Sequence, residues 1–457
     1  MNQEQKDTKQ TEIAEIYASD SPINDAKEDL LGWSKFADRI ANALIDNKSH
    51  KGFVIGIQGK WGSGKSSLLN LVANRLEKCN NVEILRYNPW MLPDINHLSF
   101  FFSELAKVAK FKAKEEEYSD KLLRYGALLR ITEGAKETGK SFYDVLLALF
   151  AGGALVTAPE TVPNWIGNLS IILLITTLIA KLVHPWLESK FERVKNQLEE
   201  KQTLSEFKKD LNSYLPSNGT LYVVLVDDID RLPPHQICEI FQLVKNNGDL
   251  ANISYVLAYD KQVVRKVLRD YYNSKAYESF TEKIVQIEFD LPYPDSVILS
   301  EYFLKELDKI LKDKLPESAE RYWDAERWTN HYELYLRSMI KTLRQSKRIL
   351  NAIRFNIHHV VNEDDVEVNP IDFIVIEMLR IQFPKTYDFI RDNKDVFVPI
   401  SRPTELFGIS KEDKKKLYRA LEDELATIKD ERIRENLQSI LVELFPQIKE
   451  LESKNEL

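Results

Sequence analysis

The chain has 457 residues, 44% hydrophobic and 29% charged, a globular composition too long for one ordinary core, so two or three domains are expected. A formal charge of −8 argues against a surface that coats nucleic acid, and two cysteines, Cys79 and Cys238, exclude a disulfide framework or a cysteine zinc site. The seven histidines form no HxxxH pair, so a metal cage built from protein alone is not expected.

Residues 1–50 form a polar leader and a first helix. The leader has no apolar signal core, which implies a cytoplasmic start. Leu30, Leu31, Trp33, Phe36, Ile40 and Leu44 then recur at helical spacing. GFVIGIQG is a short β-branched run and predicts a buried strand; SSLLNLVANRLEKC predicts an amphipathic helix, and VEILRYN a second strand stopped by Pro89. Two polar-faced helical segments complete the block 51–140. Residues 141–187 are apolar, with PETVPN as a turn in their middle, and charges at helical spacing dominate from Glu188 to Leu211. Strand and helix alternate again within 188–300: LYVVLVDD, HQICEIFQLVKNN, ISYVLAYD, KQVVRKVLRDYY and VQIEFDLP. Strand signals cease after Pro294, so 301–457 reads as an all-helical domain.

The run Gly59-Lys60-Trp61-Gly62-Ser63-Gly64-Lys65-Ser66 fits G-x-x-x-x-G-K-[ST], with a strand before it and a helix after. Glycines let the backbone turn its N–H groups toward phosphate oxygens, and the helix N-terminus adds partial positive charge. Lys65 is expected to bridge the β- and γ-phosphates and Ser66 to hold Mg2+, with Ser67 completing the binding set. A second, acidic element is supplied by the apolar strand that ends in Asp227 and Asp228. Asp227 is expected beside the metal and Asp228 as a general base that polarises water. No N-K-x-D box occurs, so ATP is the expected nucleotide. The fold class expected is α/β: a P-loop NTPase parallel sheet, an inserted hydrophobic helical hairpin and a C-terminal all-helical domain.

The chain resembles the KAP P-loop NTPases along most of its length. The residues that carry the resemblance are DSPINDAKEDLLGWSKFADRIANAL, IQGKWGSGKSSLLN, RYNPW, VDDIDRL, YVLAYD, YESFTEKIVQIEFDLP, TLRQSKRILNAI and DFIVIEMLRIQFPKTYDFI. The resemblance implies an ATPase related to the STAND and AAA types. It implies a five-stranded parallel core in which the third motif strand separates the acidic strand from the phosphate-loop strand. It also implies paired membrane helices between the two nucleotide motifs, and a role like that of phage-exclusion proteins or membrane signalling scaffolds. Carried over by residue, Asp260 takes the sensor position, and Arg344 and Arg348 match a helical-domain arginine region aimed at the γ-phosphate, with a solvated helix face as the alternative. Leu343 departs from the pattern, which has a proline there. Asn88 reads equally as a ligand-edge residue or a turn. Asp230 and Arg231 are expected to pair with each other or with a neighbouring subunit, and Trp33 and Phe36 read as core rather than as a shelf for adenine.

The apolar block has two arms, residues 143–158 and 165–183. Asp144 is the only charge between Lys140 and Glu160, and none lies between Glu160 and Lys181. Each charge-poor stretch runs roughly 20 residues, about 30 Å as helix, enough to cross a hydrocarbon core, although the first is the weaker, with an apolar centre of only about 14 residues. Lys65 and Asp227 must share one nucleotide and hence one compartment, so the intervening chain crosses an even number of times. Lys136 and Lys140 before the pair, with Lys190, Arg193 and Lys195 after it, give the positive-inside pattern. The expectation is a bacterial inner-membrane location, with lipid contact through the two arms and the NTPase and helical domains cytoplasmic. A greasy hairpin buried in an oligomer, or lying in the interface, is the alternative.

Three functions compete. The first is a membrane-anchored ATPase switch, cleaving the β–γ phosphoanhydride and working as a homo-oligomer or with a partner protein, in phage defence or signalling. The second is a membrane-tethered ATP-binding scaffold with little turnover. The third, nucleic-acid remodelling, lacks a basic stripe with aromatics.

Overall fold

The computed structural model describes residues 17–47, 52–91, 97–112, 116–123, 125–126, 208–209, 211–212, 219–273, 281–361, 366–397, 411–446 and 448. Two compact units are present: Ile23–Leu291, and a second made of Met1–Pro22 with Pro292–Leu457.

In the first unit, β1 (Phe53–Gln58), β2 (Val82–Tyr87), β3 (Leu221–Val226), β4 (Ile253–Tyr259) and β5 (Ile287–Asp290) form one parallel sheet in the order β2-β3-β4-β1-β5. β4 thus separates the acidic strand β3 from the phosphate-loop strand β1, as the resemblance implies. The central strands are apolar almost throughout because helices cover both faces, which leaves few positions for polar side chains, Ser254 and Gln58 among them. Alternation along each strand still sorts the residues by face. Ile55, Ile57, Val223, Leu225, Val256 and Ala258 pack with α1 (Ser34–Ile45) and α2 (Lys65–Leu76). Val54, Val224, Val226, Tyr255, Leu257 and Tyr259 pack on the opposite face with α3 (His97–Lys107), α4 (Pro234–Asn247) and α5 (Lys261–Tyr272). Gly56 is closely packed there: a Cβ on it would lie 3.0 Å from both the Tyr259 hydroxyl and Val285 Cγ1.

Register aligns the carboxyl ends of the strands. Gln58 pairs with Tyr259 and Tyr87 with Val226, and backbone bonds continue past them, from Gly59 N–H to Tyr259 O (3.2 Å) and from Asp227 N–H to Tyr87 O (3.1 Å). In an open parallel sheet this edge, where the phosphate-loop and acidic strands both end, is where ligands bind.

The second unit is helical: α6 (Ser296–Lys314), α7 (Ala325–His331), α8 (Leu343–Asn356), α9 (Pro370–Gln382), α10 (Pro384–Asp392), α11 (Lys411–Ala426) and α12 (Glu431–Leu444), with shorter turns between. Phe303, Leu307, Leu336, Ile349, Ile353, Ile374, Met378, Leu437 and Leu441 form its core. Local caps start these helices: Asp295 accepts from Val297 N–H, Asn369 from Ile371 N–H, and Thr342 and Gln345 form a capping box that starts α8. The described end of the leader lies along α8. Ala18 exchanges two hydrogen bonds with the Asn351 amide (2.8 and 2.9 Å), Lys347 donates to Ser19 O (2.7 Å), and Arg344 pairs with Asp20 (2.7 Å). Residues 344, 347 and 351 share one helix face, so the leader runs parallel to the helix axis.

The expected hairpin, residues 141–187 with arms 143–158 and 165–183, lies outside the described residues. Among the described residues no helix is long and apolar enough to cross a membrane.

Candidate functional site

The phosphate loop leaves β1 at Gln58 and enters α2 at Lys65. Gly62 (φ +77°) and Gly64 (φ +104°) hold left-handed backbone that side-chain-bearing residues rarely adopt. Gly64 has a second constraint, because a Cβ there would meet the Trp33 ring at 2.4 Å. Trp33, read from the sequence as core, is indeed buried, and its ring also braces the underside of the loop. Phe36 sits beside it in an edge-to-face pair with Phe289. At the loop's start, a Cβ on Gly59 would lie 2.5 Å from Ser63 Oγ. Lys60 is exposed, and its carbonyl accepts from Ser63 N–H at 3.1 Å.

Lys65 is buried with its ammonium turned back into the loop. It donates to Gly59 O (2.9 Å) and lies 3.4 Å from Asp230 Oδ2, in a pair whose side chains are 7% and 8% exposed. Asp230 Oδ1 and Ser63 Oγ are both buried without a hydrogen-bond partner among the described residues. Buried polar atoms are almost always satisfied, so two orphans on either side of Lys65 leave a polar ligand something to bind there. The Ser66 hydroxyl lies near enough to the Asp227 carboxylate to favour its charged form. Ser67, expected among the binding residues, accepts from Ile23 N–H at 3.3 Å.

Across the sheet, β3 delivers Asp227 and Asp228 to the same edge. Burial pushes the Asp227 carboxyl above its ordinary range, a rise opposed by the Ser66 hydrogen bond and reinforced by the Asp228 charge. A hydroxyl and a buried carboxylate side by side suit a hard divalent cation, which would neutralise the charge that burial penalises. Among the described residues no three His, Cys, Asp or Glu side chains cluster to hold a metal, so such an ion would take its remaining ligands from phosphate oxygens or water.

Asp228 takes left-handed backbone (φ +56°), which an aspartate tolerates at modest cost. Both of its oxygens are held: Asn88 Nδ2 donates to Oδ2 (2.9 Å), and Arg231 pairs with Oδ1 (2.9 Å). Arg231 therefore pairs with Asp228, whereas the sequence reading offered Asp230 or a neighbouring subunit. Its guanidinium lies 6.0 Å from the Trp61 ring centroid and 5.0 Å from that of Trp90, within range of cation–π attraction. Trp61 is 74% exposed and Trp90 47%. Asn88, which the β2–β3 register puts level with Asp227 and whose amide reaches Asp228, was legible only as an edge or turn residue.

The other expected site residues are placed as follows. Asp260 ends β4 and caps α5, accepting from Gln262 and Val263 N–H. Arg344 pairs with Asp20 on α8, and Arg348 is exposed on that helix.

The chain is similar to several known proteins. It is 24% identical over 380 residues to the phage T7 exclusion protein of Escherichia coli (strain K12), a match that covers 81% of this chain and 47% of that protein. The chain thus spans about half the length of this relative. It is also similar to the crystal structure of a DNA replication initiation factor, at 11% identity and a TM-score of 0.33, covering 95% of this chain and 93% of that one; a score so low supports no argument. A family model described as the KAP family P-loop domain matches residues 33–359, well over half of the sequence. The loop, the acidic strand and that match lead to one conclusion: this chain belongs to the KAP family of P-loop proteins.

Proposed function

We propose that the chain is a membrane-anchored ATPase that works as a nucleotide-driven switch. The observation that carries the reading is the convergence of Lys65, Ser66, Asp227 and Asp228 on one carboxyl edge of the sheet, beside two buried polar atoms, of Ser63 and Asp230, without partners among the described residues. Lys65 neutralises phosphate charge while the loop's N–H groups fix the phosphate chain. Ser66 and Asp227 would hold Mg2+, which would supply neutralisation of phosphate charge. Asp228 takes a proton from the attacking water, and the β–γ phosphoanhydride is cleaved to ADP and phosphate. The absence of an N-K-x-D box supports adenine as the base.

The two apolar arms and their flanking lysines and arginines support anchoring in a bacterial inner membrane, with both units on the cytoplasmic side and partners recruited as a homo-oligomer or a second protein. Similarity to a phage exclusion protein supports a role in phage defence. The test is Lys65→Ala: unchanged ATP binding and hydrolysis would remove the reading. Alkaline carbonate extraction tests the anchor, because complete release from membranes rules out spanning. A plaque assay on cells expressing the chain and Lys65→Ala tests the defence role.

A further inference from the structure

Asp228 is held in a manner that its role as base alone does not explain. Its backbone is left-handed, and its two carboxylate oxygens are tied separately, one to the amide of Asn88 from the end of β2 and one to the guanidinium of Arg231 three residues onward. A carboxylate can turn about its Cβ–Cγ bond; with a donor on each oxygen it cannot. Arg231 is itself located from the side. Trp61 of the phosphate loop and Trp90 after β2 lie on it, and the Asn88 side-chain oxygen accepts from Trp90 N–H at 3.1 Å. The loop that would grip the phosphates and the carboxylate that would activate water are thereby joined through one guanidinium. The large exposure of Trp61 and Trp90 is costly for tryptophan, and covering Arg231 gives these rings a function at the mouth of the site.

We infer that Arg231 is a positioning residue for hydrolysis: it aims the Asp228 carboxylate, and the two tryptophans hold it in place. The inference rests on the ATPase reading above. Each carboxylate oxygen has two lone pairs, so the guanidinium fixes the direction of Oδ1 while leaving a lone pair to accept from water. Lysine at this position would keep the charge and lose the planar fork, and so would restore only part of the alignment.

The experiment is steady-state hydrolysis by the full-length protein in detergent or lipid, with ATP and Mg2+, for the parent chain, Arg231→Ala, Arg231→Lys and Trp90→Leu. A fluorescent ATP analogue measures affinity, and thermal melting checks the fold. The expected result for Arg231→Ala is a fall in kcat of about tenfold or more with KM within about twofold, the signature of an interaction used only in the transition state. Arg231→Lys recovers part of the loss, and Trp90→Leu falls between. An unchanged kcat overturns the inference, and a loss confined to KM reassigns Arg231 to nucleotide binding. A raised kcat overturns it too, since Arg231 would then restrain Asp228 rather than aim it. Absence of turnover in the parent chain removes the ATPase reading and this inference together; turnover in the parent with an unaffected Arg231→Ala removes only this inference.

Discussion

Lys65 and Asp230 form a buried pair across the candidate nucleotide site, 3.4 Å apart, with one Asp230 oxygen left unsatisfied. Breaking a buried pair by removing one charge leaves the other uncompensated. Asp230→Asn is therefore expected to lower stability by about 1–3 kcal/mol, because the Lys65 ammonium keeps only carbonyl acceptors. Added ATP and Mg2+ bring negative charge to that ammonium, so the nucleotide-induced rise in Tm is expected to be larger in the variant than in the parent. Thermal melting with and without nucleotide checks both statements; an equal rise in the two proteins would contradict the second.

Asp227 supports a prediction in which pH matters. An aspartate in the unfolded chain titrates near ~3.9, whereas burial raises Asp227 above that in the folded chain. The folded state then binds the proton more tightly, so this group favours folding below the unfolded value, and that contribution is lost as pH rises through the folded one. At neutral pH the buried charge counts against stability. Asp227→Asn is expected to raise Tm at pH 7 by about 2 °C, to show a smaller gain near pH 4, and to lose Mg2+-dependent hydrolysis. Melting curves at the two pH values, with turnover, decide it.

Gly64→Ala tests the brace beneath the phosphate loop. The new Cβ would press on Trp33 and the backbone would keep φ at +104°, two separate penalties. The expected loss is about 2–4 kcal/mol, with nucleotide binding abolished. Trp33→Leu relieves the collision but not the strain and itself removes a buried ring, so Gly64→Ala should cost less in the Trp33→Leu background than in the parent. No cost at all in that background would show that the collision alone matters.

Arg344 and Asp20 provide the test for the helical unit. Their side chains are 29% and 51% exposed, so the pair is worth at most about 1 kcal/mol. Asp20→Asn should leave both Tm and turnover nearly unchanged. If Arg344 meets the γ-phosphate during turnover, Arg344→Ala lowers kcat at least about tenfold while Tm barely moves. Parallel loss in both variants would instead assign the arginine to holding the leader.

The fold was legible where local and global signals agree. GFVIGIQG, LYVVLVDD and ISYVLAYD are strands because a sheet covered on both faces needs continuous apolar runs. The phosphate loop was legible because its glycines answer a backbone demand, which the φ values at Gly62 and Gly64 bear out. The partners of Asp228 were not legible. Asn88 lies 140 residues away in sequence and meets it through strand register, and a left-handed backbone at Asp228 leaves no mark in a side chain that tolerates either conformation. Asp260 illustrates a different ambiguity. An aspartate between a strand and a helix serves as a helix cap whether or not it also meets a ligand, and the cap is what its carboxylate makes here.

The parallel pairing of β2 with β3 has a mechanical consequence. The chain departs after Tyr87 and returns at Leu221 to lie against the strand it left, so residues 88–220 form a closed excursion anchored on two neighbouring strands. Asn88 is the first residue of that excursion and also the donor to Asp228 Oδ2. Any change in how the chain leaves β2 therefore alters a hydrogen bond to the Asp228 carboxylate, while the pairing of the strands can stay as it is.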